Sequence, residues 1–205
     1  MPTMGNREDL LAGARRCLES KGYARTTARD IATEAGTSLA AIGYHFGSVQ
    51  TLLNAAMIQT LSEFADSLQD TRRRTTGGTA APAELLTAVL ADTSEHFAEH
   101  RQLWRAFCEA AITAGESAEI REELGKGLGL GRRGIAAEVL DVDEDTVDDE
   151  LARTVGAFGL CLVSGLRLQL LIDPDQAPGA EDLLAGMRRV LAQRSEPGTG
   201  ETEAG

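Results

Sequence analysis

Residues 25–50, RTTARDIATEAGTSLAAIGYHFGSVQ, read as two short helices joined by a glycine turn. Thr27 and Asp30 have the spacing of a capping box, in which two side chains satisfy the open backbone N–H groups at a helix start. Gly36 supplies the residue that adopts the left-handed conformation at the helix end, and the threonine–serine pair after it can cap a second helix. The first turn of this second helix is small and uncharged. Such a helix fits a DNA major groove when a partner helix holds it.

Residues 10–57 resemble the N-terminal domain of the TetR family of transcriptional regulators. The resemblance is carried by residues at fixed spacing: Gly22-Tyr23, Thr26-Thr27, Ile31-Ala32, Ala35-Gly36, Ser38, Ile42, Tyr44-His45-Phe46, Ser48 and Leu52-Leu53. It implies a three-helix head that binds DNA, joined to helices outside the matched range.

The resemblance also implies which residues contact DNA: Thr27, Arg29, Ser38, Leu39, Ala40, Ala41, Tyr44, His45 and Gln50. Thr27 would bond phosphate at the start of helix 2, and Arg29 would reach a base edge. The positions at 39–41 would face the groove and offer only apolar contact, while Tyr44 and His45 would contact phosphate. Arg29 could instead pair with Glu34, and His45 could instead be a packed cap over helix 4.

Two positions depart from the family pattern. Gly43 stands where a tyrosine is usual, and Val49 stands where a lysine usually contacts phosphate at the start of helix 4. Gln50 could partly substitute as a neutral donor. Each lost cation weakens nonspecific DNA binding, so these departures bear on affinity more than on fold.

The composition predicts an all-α protein of about nine helices, because Ala, Leu, Glu and Arg are abundant and β-branched runs are nearly absent. The chain is 42% hydrophobic and only 4% aromatic. The net charge of −12 argues against a protein that coats DNA. Residues 1–60 nevertheless hold six Lys/Arg and five Asp/Glu, so the excess acid lies in the remainder, away from the predicted DNA-binding head.

The predicted domains are a helix-turn-helix head over residues 1–50, helix 4 at 49–70 as a connector, and a larger regulatory and dimerisation domain over 71–195. The stretch TRRRTTGGTAA at 71–81 is the predicted linker, and 196–205 is the predicted disordered tail. Helix 5 is expected at about 82–99 and helix 6 at 101–113. The later helices are expected at about 146–172 for helix 8 and 179–193 for helix 9.

Helices 8 and 9 are predicted to pair with their copies in a homodimer, because one recognition helix discriminates too little and two can read a palindromic operator. A small-molecule effector is predicted among helices 5 to 8, mostly apolar or aromatic because few charges are expected inside. The candidate pocket residues, which could equally be ordinary core, are Phe97, Trp104, Phe107, Cys108, Phe158 and Cys161.

Three cysteines without a CxxC pair, and a polar N-terminus without a signal peptide, predict a reduced cytoplasmic protein in which Cys17, Cys108 and Cys161 are small buried side chains. The apolar run 155–172 contains Arg167, Gln169 and three glycines, so it predicts a buried soluble helix rather than a membrane span. No cofactor is expected.

Other motifs fail on spacing. The glycines from 125 to 134 lack the Gly-Lys-Ser/Thr of a phosphate loop and predict a weak or kinked helix 7. The acidic run 141–150 lacks the glycine and final glutamate of a calcium loop. His96 and His100, four apart, could bind a metal, but no HExxH or nucleophile motif supports catalysis. We predict a non-enzymatic regulator, with a protein-binding helical scaffold or a metal-binding helical enzyme as alternatives.

Overall fold

The protein is described here by a computed structural model that covers residues 5–76, 80–115 and 117–192. Within these ranges there are nine α-helices and no β-strand, which confirms the all-α prediction. The helices are α1 (Gly5–Lys21), α2 (Ala28–Glu34), α3 (Leu39–Phe46), α4 (Val49–Thr76), α5 (Pro82–Glu95), α6 (Phe97–Ala114), α7 (Ala118–Leu140), α8 (Asp149–Ile172) and α9 (Ala180–Ala192).

The N-terminal helices share one hydrophobic core. Leu10, Leu18 and Ile31 are fully buried, and Leu52 and Met57 of α4 close the same cluster. Residues of α6 and α7 also belong to this cluster, so the head packs directly on the helices that follow it. A shift of α6 or α7 therefore has a physical route to the head.

Several boundaries differ from the predicted ones. α4 continues to Thr76 through the first six residues of the predicted linker 71–81. Residues 77–79 of that linker lie outside the described residues, as does the predicted tail 196–205. α5 ends at Glu95 and α6 begins at Phe97, so His96 and His100 do not share one helix. The chain leaves the helical conformation at His96, which is the C-cap residue of α5, and a new helix starts at the next residue.

α7 is one continuous helix through its five glycines, which corrects the expectation of a weak segment. Two of the glycines allow other elements to approach closely. A Cβ on Gly127 would lie 3.0 Å from the Ile58 side chain of α4, and one on Gly131 would lie 3.6 Å from Leu160 of α8. Contacts between helices offset the low helix propensity of glycine here.

α8 carries a π-helical turn at Ala152–Gly156 and packs α5, α6 and α9 into a second core. Val163 and Leu166 of α8 are buried there, beside Leu184 of α9. Phe158 is 47% exposed, although the helix pattern predicted it inside. The reason is that α8 is apolar on several faces, and only its neighbours decide which face is covered.

α8 is also the one helix in the described part of the chain that is long and apolar enough to span a membrane, by length and composition only. Only a part of its most apolar window is buried inside the protein.

The three cysteines differ in burial: Cys17 is buried, Cys108 is half-buried, and Cys161 on α8 is exposed. The prediction of three buried cysteines was therefore wrong for Cys161.

Candidate DNA-binding site and regulatory core

The helix-turn-helix is built by contacts between residues close in sequence. The Thr27 hydroxyl accepts from the N–H of Asp30 at 3.3 Å, and the N–H of Thr27 donates to the Asp30 carboxylate at 2.9 Å, which completes the predicted capping box. Gly36 follows α2 with a φ of +63°, where a side chain would be strained. Ser38 is the N-cap residue of α3, although its side chain makes no capping hydrogen bond.

α3 turns one face inward and leaves another open. Ile42 and Phe46 are buried against α1 and α4, which fixes the helix in place. Leu39 is 52% exposed and Tyr44 is 73% exposed, and Ala40 between them is exposed as well. Ala41 is half-buried. The exposed first turn therefore has the shape and the anchoring that entry into a major groove requires.

The start of α2 carries an ion pair beneath the predicted phosphate contact. Lys21 Nζ lies 2.6 Å from the Asp30 carboxylate. The hydrogen bond from Lys21, followed by those from Thr27, lowers the pKa of Asp30 well below its usual range. The Thr27 hydroxyl also donates to Asp30 at 2.7 Å. A phosphate at Thr27 would have to compete with this carboxylate for the hydroxyl hydrogen, so the role of Thr27 remains a prediction.

The structure shows the surroundings of two further predicted DNA-contacting residues, Arg29 and His45. Arg29 is exposed, and Glu34, its alternative partner, is held by Arg16 at 2.8 Å. The half-buried His45 ring meets the Tyr44 ring edge-to-face, with centroids 4.9 Å apart. Arg29 therefore forms no salt bridge within the described ranges and is available to a nucleic acid.

The first turn of α4 supplies a second predicted contact point. Gln50 is exposed there, and Ser48 caps the helix by accepting from the N–H of Thr51 at 3.0 Å. The outward N–H groups of a helix start attract phosphate, even where a cation is missing. Val49 is half-buried and packs against the core of the head, so it contributes to packing where a lysine would contribute charge.

Comparison with known proteins agrees with this geometry. The family model described as bacterial regulatory proteins, tetR family, matches residues 10–56. The HTH-type transcriptional regulator PksA of Bacillus subtilis is 27% identical over 172 residues, which are 82% of this chain and 80% of PksA. Residues 10–56 therefore form a DNA-binding domain of the TetR family. The chain is thus a DNA-binding transcriptional regulator.

Solved structures of the family share the fold along nearly the whole chain. A putative TetR-family regulator from Rhodococcus sp. has a TM-score of 0.65 at 21% identity, over 92% of this chain and 98% of that one. The multidrug binding protein EbrR, crystallised with proflavin, has a TM-score of 0.60 at 21% identity, over 90% and 99% of the two chains. At this identity the likeness concerns the fold.

The predicted pocket residues of this regulator do not lie together. Phe97 and Trp104 are buried in the core of α5, α6, α8 and α9, whereas the half-buried Phe107 packs against the core of the head. Cys108 is half-buried on α6, where burial raises the pKa of its thiol. Phe158 and Cys161 are exposed on α8. The six residues therefore do not enclose one pocket, and the ligand-binding role of each remains a prediction.

The regulatory core contains a charged residue that was not predicted as part of a site. Arg167 of α8 places its guanidinium carbon 3.5 Å from the centroid of the Trp104 ring. Desolvation by burial lowers the pKa of Arg167 to about 9. A lone arginine among leucines, in Leu166-Arg167-Leu168, was a signal in the sequence, but it was read only as an argument against a membrane span.

One cluster could hold a metal ion by distance alone. The ligand atoms of Asp92, Glu95 and His96 lie within 4.8 Å of one another at the end of α5. His96 Nδ1 lies 3.0 Å from the carbonyl oxygen of Asp92, which is a helix-end contact. His100, the predicted partner of His96, instead lines a separate small cavity between α1 and α6, and burial lowers its pKa. The predicted pair of histidine ligands is therefore not brought into one cluster with these carboxylates.

Proposed function

We propose that this protein is a dimeric repressor that binds a palindromic operator and leaves it when a small molecule binds among helices α5 to α8. The exposed first turn of α3 is the observation that carries the DNA-binding part. The residues proposed to contact DNA are Thr27, Arg29, Ser38, Leu39, Ala40, Ala41, Tyr44, His45 and Gln50. The acidic remainder of the chain would repel phosphate elsewhere, so only the head docks.

The proposed dimer forms through α8 and α9. Large apolar side chains are exposed on both helices: Phe158, Leu168 and Ile172 on α8, and Val190 and Leu191 on α9, at 47% to 75% exposure. Several large apolar side chains exposed on two helices are typical of a protein interface. A second copy of the chain would cover it and hold two heads at the spacing of two half-sites. This pairing would cover the exposed apolar surface of α8, so the helix would not need a membrane to cover it. A cytoplasmic location is proposed on this ground.

Release by a ligand follows from the packing of the head on α6 and α7. The backbone N–H of Ala24, between α1 and α2, donates to the Glu109 carboxylate of α6 at 3.1 Å. A ligand that favours another position of α6 would shift the head through such contacts and change the spacing of the two recognition helices. Operator affinity would then fall.

The DNA-binding test uses a matched pair of substitutions. Duplexes are first selected from a random pool with the purified protein, and binding is then measured by gel shift. Leu39→Glu places a carboxylate at the groove and should weaken binding about tenfold or more. Leu130→Glu, at 53% exposure on α7 against 52% for Leu39, should leave binding unchanged. Equal binding by wild type and Leu39→Glu would refute the proposed reading face.

The role of Arg29 is tested on the selected duplex and its single-base variants. If Arg29 reads a base edge, Arg29→Ala should relax discrimination at one base pair of each half-site, whereas loss of a phosphate contact weakens all sequences alike. Binding that ignores Arg29→Ala would remove this residue from the site.

The dimer has its own matched pair. Ile172 is 75% exposed on α8, and Ile112 is 79% exposed on α6, away from the proposed interface. Ile172→Glu should convert the dimer to monomer in sedimentation velocity, because it buries a charge in an apolar contact. Ile112→Glu should sediment as wild type. A wild-type protein that sediments as a monomer would contradict the proposal.

A catalytic function is not proposed, since the relatives are described as transcriptional regulators. The two alternatives predict different results in the same experiments. A protein-binding scaffold would select no DNA sequence from the pool. A metal protein would retain metal after purification and would lose it when His96 is replaced.

A further inference from the structure

Arg167 lies where α6 and α8 meet, against the buried Trp104. The indole covers one face of its guanidinium, at 3.5 Å from the ring centroid, which is a cation–π contact. The Nε–H of Arg167 is buried and finds no acceptor in the part of the chain that the structure describes. Stacking on the ring satisfies the flat face of a guanidinium, but its N–H groups point outward in the plane and still require acceptors.

Two other charged residues lie near Arg167, one acidic and one basic. Glu138 of α7 attracts the guanidinium, yet desolvation has the larger effect and lowers the pKa of Arg167 to about 9, so the group stays charged at neutral pH. A second arginine reaches the same helix pair. Arg101 of α6 donates to the carbonyl oxygen of Leu171 at 3.3 Å, one turn beyond Arg167 on α8.

A buried arginine of this kind is normally paired, because desolvating a charge without hydrogen bonds is unfavourable. Arg167 as a whole is half-buried, so the edge of its guanidinium can still be reached from outside. The planar fork of arginine matches a carboxylate, which accepts two parallel N–H bonds. Trp104, Val163 and Leu166 beside it belong to the buried core that α6 and α8 share, so the body of a ligand would have to insert between these two helices.

We infer that Arg167 and Trp104 anchor an effector site for a small organic carboxylate with an apolar or aromatic body. The carboxylate accepts from the open edge of the guanidinium, and the body lies against the apolar side chains of α6 and α8. This inference rests on the proposed ligand response and narrows its effector: an amphiphilic anion replaces the mostly apolar or aromatic ligand that the sequence predicted.

Trp104 is the only tryptophan in the chain, so its fluorescence reports directly on this site. The full-length protein is titrated near neutral pH with matched pairs of probes, phenylacetate with phenylacetamide and octanoate with octanamide. Each acid should change the tryptophan emission and bind about tenfold or more tightly than its amide, because only the acid forms charge-assisted hydrogen bonds with Arg167.

The substitution Arg167→Gln should remove that preference, so that acid and amide bind alike. Arg105→Gln is the matched control, since Arg105 is exposed and adjacent to Trp104 in the chain but pairs with Glu109. It should retain the preference. Where Arg167→Gln does not fold by circular dichroism, Arg167→Lys keeps the charge without the planar fork and should weaken acid binding while sparing the amide.

Equal binding of acid and amide by the wild-type protein, or an acid preference that survives Arg167→Gln, overturns the inference. Neither result depends on DNA, so failure of this site is distinct from failure of the operator proposal. The preferred acid is then added to the selected duplex in the gel shift, where it should release the wild type but not Arg167→Gln. Tight acid binding without release would overturn the effector role while leaving the DNA-binding function intact.

Discussion

Gly156 marks the closest approach of two helices in the regulatory domain, where α8 crosses α7. A Cβ built on Gly156 would lie 2.7 Å from the carbonyl carbon of Arg132 and still closer to its oxygen. Ordinary contact begins at 3.4 Å, so an alanine at this position would push the two backbones apart by about 0.7 Å or more. Neither partner is a flexible side chain that can move away.

The size of the effect follows from two opposing contributions. Alanine in place of glycine stabilises a helix by about 1 kcal/mol, but overpacking at a rigid contact costs about 1–3 kcal/mol and more when backbone must move. The separation would also loosen the small core that Ala136 and Ala137 form with Ala152 and Val147 beside this crossing. Because backbone must move here, we take a cost of about 2–4 kcal/mol, and with the gain of about 1 kcal/mol we expect Gly156→Ala to lower the free energy of unfolding by about 1–3 kcal/mol. In a chain of this length that corresponds to about 3–10 °C in melting temperature.

Thermal unfolding by circular dichroism at fixed protein concentration measures this change, with Gly125→Ala as control. Gly125 is exposed on α7, and an added Cβ there meets nothing within 4 Å. That variant should be stabilised by up to about 1 kcal/mol from helix propensity alone. If Gly156→Ala melts as high as Gly125→Ala, the helices are not held at the described separation and the reasoning is wrong.

Three further predictions concern single side chains. Tyr23→Phe removes the buried hydrogen bond of 3.0 Å from the tyrosine hydroxyl to Asn54, whose Nδ2 has no hydrogen-bond partner among the described residues, so urea unfolding should show a loss of about 1–2 kcal/mol. The pKa of Asp30 is depressed in the folded state, so its contribution to stability is present above about pH 4 and is lost as the pH falls further. The stability difference between wild type and Asp30→Asn should therefore narrow in acid, and a constant difference would contradict this. Cys161 should react with a thiol reagent faster in a monomeric variant than in the dimer, whereas Cys17 should react slowly in both until unfolding.

Local interactions made the DNA-binding head predictable. Thr27 and Asp30 are three residues apart, and Gly36 ends the same helix, so the chain needs no distant partner to define α2 and the turn. The inward positions Ile42 and Phe46 also followed from helical spacing. The hydrogen bond that the Thr27 hydroxyl donates to Asp30 was not predicted. A capping motif predicts which backbone N–H groups are satisfied, but not whether the hydroxyl hydrogen is free to bind a phosphate.

Helix boundaries beyond the head were less predictable, since contacts between distant residues decide them. Composition indicated a linker at 71–81, yet α4 continues to Thr76. The glycines of α7 indicated a weak helix, yet α4 and α8 pack against them. In both places the local preference is small, and tertiary packing outweighs it.

The helical class, the helix-turn-helix and the uneven distribution of charge along the chain could all be recognised in the amino-acid sequence. These depend on periodicity, caps and composition, which act over a few residues or over the whole chain. Contacts between helices, by contrast, decide that the guanidinium of Arg167 stacks on Trp104 while Phe158 is exposed. The physical reason is that α8 is apolar on more than one face, so its own pattern cannot say which face the neighbouring helices cover.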